Sequence, residues 1–140
     1  MTSASPAGQR TYAQNREQEN GSERVNDDSA GRHGDAVRLS NLAEQLLADA
    51  REHHSRRSAR TIQSGTSMRA TIIALLSEAE LGEHEPPPAA TLQVLSGEVT
   101  LAAGERRWAL SAGEVMTIPQ ERLSLVATTD AVMLLTVALH

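Results

Sequence analysis

The side chains able to do chemistry in this sequence are few, and His84 has the most suggestive setting. It stands between Glu83 and Glu85, with Gln93 a short way along. One imidazole near neutrality can hydrogen-bond, hold a ligand or join a metal shell. Most other reaction chemistries lack their residues. There is no cysteine, and all 13 basic residues are arginine, so no thiolate, disulfide or lysine Schiff base is available. The uniform use of arginine reads as the bias of a GC-rich coding sequence. No serine lies in Gly-x-Ser-x-Gly, no histidine–aspartate pair is placed to activate one, and glycine-rich phosphate loops are missing. A basic cluster, His53, His54, Arg56, Arg57 and Arg60, could meet phosphate or acidic partners. Its position at the end of a helical pattern favours a structural role, offsetting the helix dipole.

Composition removes further classes. A net charge of −5 argues against direct nucleic-acid binding, which needs a basic face to displace counterions. Tyr12 and Trp108 are the only aromatics, too few for a base-stacking platform or a cation cage. The start, Met-Thr-Ser-Ala-Ser-Pro, has no apolar run of the secretory kind. The longest strongly apolar stretch, Ala131 to Leu139, is too short to span a bilayer. The expectation is a cytoplasmic protein with no membrane partner.

Residues 1–36 are polar and mixed in charge, and they are expected to form a disordered tail. Residues 37–57 read as an amphipathic helix and linker. Leu39, Leu42, Ala43, Leu46, Leu47 and Ala50 recur at helical spacing over Ser40–His54, with Asn41 and Glu44 or Ser40 as caps. One apolar stripe requires a packing partner, either the chain's own body or a second copy. From Ser58 the period changes. Short strands are expected at Arg60–Gln63, Arg69–Leu76, Leu92–Leu95, Val99–Ala102, Arg106–Leu110, Glu114–Ile118, Leu123–Ala127 and Val132–Ala138. Turn chemistry lies between them at Ser64-Gly65, Leu81-Gly82, Ser96-Gly97, Ala103-Gly104, Ala112-Gly113 and Thr129-Asp130. This is an all-β pattern: a small antiparallel barrel or jelly roll over 58–140, without room for crossover helices.

Two segments resemble the paired signatures of the cupin family. One runs from Gly82 through His84 and Pro86-Pro87-Pro88 to Gly97. The other is Gly113-Glu-Val-Met-Thr-Ile-Pro119, continuing to Ser124. The resemblance implies a cupin-type β-barrel. It also implies four inward metal-ligand positions, which fall here on His84, Pro86, Ala90 and Ser124. Only His84 carries a family ligand, so the resemblance implies no cofactor and no catalytic set for this chain. Pro86 to Pro88 would stiffen the rim.

By alternation from His84 and Ser124, the lumen and mouth residues are His84, Leu92, Val94, Ser124 and Val126. That register sends Leu123 and Leu125 outward, against a dimer mate, unless a bulge after Pro119 turns them inward. An apolar lumen fills itself or takes a small apolar ligand. The expectation is a non-enzymatic sensing or regulatory module acting as a homodimer. The alternative is a metal-dependent cupin enzyme of dioxygenase, isomerase or epimerase type, using His84 with non-standard ligands.

Overall fold

The computed structural model describes residues 36–139; the expected disordered tail lies almost wholly outside them. One helix, α1 (Leu39–Arg51), precedes nine strands: β1 (Arg57–Ser64), β2 (Met68–Leu75), β3 (Glu80–His84), β4 (Ala90–Ser96), β5 (Glu98–Ala103), β6 (Arg106–Ser111), β7 (Val115–Thr117), β8 (Leu123–Ala127) and β9 (Ala131–Ala138). They form two antiparallel sheets, β1-β2-β9-β4-β7 and β3-β8-β5-β6. Alternate residues of each face inward, and Ile73, Leu75, Leu92, Val94, Val99, Leu101, Leu125 and Met133 make a common core.

The glycine turns mark strand ends where turn chemistry places them. Gly97, Gly104 and Gly113 all adopt positive φ, a region that other residues enter at a cost. Leu81-Gly82 departs from expectation, for it lies inside β3. Pairing of Glu80 with Val126 and of Leu81 with Leu125 continues the ladder there. The register shifts only between Leu81 and His84. Long-range pairing overrides the local turn signal.

The helix begins at Leu39 with Arg38 in the capping position, and no side chain caps it. Ser40 and Asn41 therefore sit within the first turn and not before it. The apolar stripe is satisfied by the chain's own sheet. Leu42, Leu46 and Ala50 are buried, and the Ser58 hydroxyl donates to the Leu46 carbonyl at 2.7 Å. Ile72 and Ala74 alternate with the inward Ile73 and Leu75, so they face out of the barrel, yet both are fully buried. The helix is what covers them.

Candidate functional site: the open end of the barrel

Strand directions bring the ends of β3, β5, β7 and β9 and the starts of β2, β4, β6 and β8 to one end of the barrel. Register then defines rows across the inner side of each sheet. In one sheet the rim row is His84, Leu123, Ala103 and Arg106, above a row of Leu81, Leu125, Leu101 and Trp108. In the other, Arg69, Val137 and Ala90 form the rim above Thr71, Leu135, Leu92 and Met116.

Burial divides this interior by depth. Val94, Val99, Leu101 and Met133 have almost no exposed surface, so side chains fill the lower half. Leu81, Trp108, Met116, Leu123, Leu135 and Val137 pack on that core but are only partly buried. They make an apolar mouth above a closed floor. Leu92 lines the boundary and Val94 belongs to the floor.

His84 lies at the exposed rim, on the inner side, across from Leu123. Ser124 and Val126 are elsewhere. Ser124 pairs with Ala102 and Val126 with Thr100, both on the outer side of β5, and Val126 is 37% exposed. This corrects the lumen assignment of these two residues. Leu123 and Leu125 take the inner positions instead, the bulge alternative named above. The physical reason is the irregular link 118–122, through which strict alternation cannot be counted. Turning two leucines inward is favourable by about 1.5–3 kcal/mol for each one fully buried.

That link is tied to the rim by three consecutive residues. Gln120 Nε2 donates to the Pro87 carbonyl at 2.9 Å. Glu121 accepts from Arg106. Arg122 donates to Glu85 at 2.6 Å and to Glu83 at 3.3 Å. These two hydrogen bonds, Glu85 first, raise the Arg122 pKa above its ordinary value. Solvent screens such exposed pairs, so they fix geometry more than they stabilise. The Arg106 guanidinium also lies 5.0 Å from the Trp108 ring centroid, within cation–π range. The sequence alone assigns none of Arg69, Arg106, Trp108 and Glu121 to the site. Period-two alternation along β6 would have placed Trp108 inward with Leu110.

A cupin metal does not fit these residues. Pro86 and Ala90 offer no donor atom, and Ser124 faces away from the interior. Glu83 and Glu85 are engaged by Arg122. Gln93 lies between the inward Leu92 and Val94, hence on the outer face. Among the described residues no group of three or more histidine, aspartate or glutamate side chains is placed to hold an ion.

No sequence-family model matches the chain, and no curated protein matches it. Solved structures do. The chain is similar to a cupin-2 domain protein of Shewanella frigidimarina (TM-score 0.59, 16% identity, covering 74% of this chain and 94% of that one). It is also similar to a conserved protein of unknown function from Streptococcus pyogenes (0.58, 21%, 76% and 88%). A third is a salicylate 1,2-dioxygenase of Pseudaminobacter salicylatoxidans (0.59, 13%, 69% of this chain but 33% of that one). No described helix is long and apolar enough to cross a membrane. With its two antiparallel sheets, its glycine turns and these neighbours, the chain folds as a small cupin domain.

Proposed function

We propose that this chain is a non-enzymatic, cytoplasmic cupin domain that takes a small apolar molecule into its open end and serves as a sensing or regulatory module. The observation that carries this reading is the partly buried inward set of Leu81, Trp108, Met116, Leu123, Leu135 and Val137 above a filled floor. A concave apolar surface with a few polar groups at its edge is the usual form of a small-molecule site. The metal-dependent alternative draws support only from fold, through the dioxygenase neighbour, and the ligand positions oppose it. Thermal unfolding after exhaustive chelation, with octan-1-ol as probe, tests the proposal. A ligand at a hundred times its Kd adds about 2.7 kcal/mol, a rise of several degrees in Tm. The rise should saturate, survive chelation and vanish in Leu123→Arg. A rise that requires added metal would overturn it.

The module acts as a homodimer through the outer face of β9, β4 and β7. The residues there, Leu134, Thr136, Thr91, Gln93, Val115 and Thr117, carry no charge, and Val115 is 59% exposed. A solvated antiparallel face is normally polar, and exposed apolar side chains such as Val115 on an uncharged face mark a candidate interaction surface. Val115→Arg is expected to convert a dimer to a monomer in light scattering, with the fold intact. A wild-type monomer at micromolar concentration would sink this part.

A further inference from the structure

Charge around the mouth is nearly all internally matched. Glu83 and Glu85 are held by Arg122, and Glu121 by Arg106. Glu105 and Arg107 are exposed at the adjoining hairpin, and Arg107 pairs with the outward Ala102. Arg69 differs. Opposite Val137 in the β2–β9 ladder, it shares a face with Thr71, Ile73 and Leu75. The last two belong to the core, so Arg69 stands on the inner side at the rim. It is exposed, and its guanidinium has no hydrogen-bond or ion-pair partner among the described residues, though its backbone belongs to the ladder. The sheet there presents a free guanidinium beside Val137 and one row above Leu135.

We infer that the mouth selects an apolar molecule bearing a single carboxylate, with Arg69 anchoring the acid and the apolar ring holding the body. The inference rests on the proposed apolar ligand site and names its ligand class. A guanidinium fork matches a carboxylate through two parallel N–H donors, a geometry that neither an alcohol nor an amine can use. With the other inward cation, Arg106, already paired, Arg69 supplies the charge that discriminates. His84, on the other sheet's rim, can add a second hydrogen bond.

Trp108 is the chain's one tryptophan and lies on the inner side, so its emission reports directly on occupancy of the mouth. The full-length protein is titrated with octanoate, octan-1-ol and octylamine, which share one chain and differ in the head group. Octanoate is expected to bind about tenfold more tightly than octan-1-ol, the scale of one charge-assisted contact, with octylamine weakest. Arg69→Gln should bring octanoate to the level of octan-1-ol and leave octan-1-ol unchanged. Arg69→Lys, which keeps the charge but loses the two-donor fork, should retain only part of the preference, and both variants should keep the wild-type Tm because the position is exposed. If octan-1-ol binds and octanoate binds no better, or if Arg69→Gln leaves the preference intact, the carboxylate inference fails alone. If neither binds, the apolar-site reading fails with it.

Discussion

Replacing Gly97 by alanine is expected to lower the unfolding free energy by about 3–5 kcal/mol, a large share of the total for a domain of this size. Gly97 sits at φ +80° in the turn between β4 and β5, where an alanine pays roughly 1 kcal/mol or slightly more for the left-handed conformation. The larger part is steric. A Cβ there would lie 2.1 Å from the Asp130 carbonyl oxygen and 2.8 Å from the Ala131 Cα. Both are backbone atoms that no rotamer change can move. The 128–130 turn would have to shift, and it is bonded on both sides. The Ser77 amide donates to Asp130 at 2.8 Å, the Glu98 amide to Thr129 Oγ1 at 3.1 Å, and the Thr128 amide to the Glu98 carbonyl at 2.9 Å. Two other glycines separate the causes. Gly113 has φ +92° with open space around its Cβ direction, and Gly82 has neither constraint. Urea unfolding should therefore rank Gly82→Ala near wild type, Gly113→Ala about 1 kcal/mol below it, and Gly97→Ala far lower. Equal losses at Gly97 and Gly113 would show that close approach to Asp130 has no weight.

The same glycine explains what could be read from the sequence. A turn whose backbone only glycine tolerates writes itself into the local sequence, so the ends of β4, β5 and β6 were legible from Gly97, Gly104 and Gly113. The helix was legible from its stripe, because Leu42, Leu46 and Ala50 recur at the helical period. Its start was not, since no side chain caps it and residues of capping type fall inside the first turn. β3 was hidden for the opposite reason. Leu81-Gly82 looks like a turn locally, and only β8, far along the chain, makes it a strand. The candidate site suffered most. Which of Leu123, Ser124, Leu125 and Val126 face inward depends on where β8 resumes after the irregular link. Arg69 becomes a rim residue only through its pairing with Val137. Alternation is readable within a strand and lost between strands.

That loss bears on function. Three of the positions that would hold a metal in the family pattern lack a suitable donor, and the structure removes the remaining freedom. The outward Ser124 cannot contribute even a hydroxyl to the interior, and Arg122 occupies the carboxylates flanking His84. On the β3-β8 side the rim is instead tied by matched ion pairs, Arg122 with Glu83 and Glu85 and Arg106 with Glu121, beside the partly buried apolar residues of the mouth. Among the described residues, no group there gathers the several donors that a metal centre requires.

Leu46→Asp is expected to detach the helix from the barrel and lower stability by about 4 kcal/mol. Leu46 is 1% exposed and points at the outer side of β1 and β2, where Ile72 and Ala74 have no exposed surface, as has Val132 opposite Ala74 on the neighbouring β9. Removing a buried leucine costs about 2–5 kcal/mol through lost transfer energy and the cavity left behind. Aspartate adds the cost of placing a carboxylate against apolar side chains with no partner arranged for it. Since the helix has no side-chain cap, its docked face supplies most of its stability. Once undocked it should unwind, lowering far-UV helical signal while the sheets persist. The uncovered Ile72, Ala74 and Val132 would then form an exposed apolar strip continuous with Leu134, and dye binding and self-association should both rise. Ala48→Asp, on the exposed face of the same helix, should change stability by less than about 0.5 kcal/mol. If the two variants behave alike, the helix is not packed as described, and the outer face of β2 must be covered by something else. If Leu46→Asp behaves as expected, the stripe is committed to the chain's own sheet and is not the surface through which the proposed dimer would form.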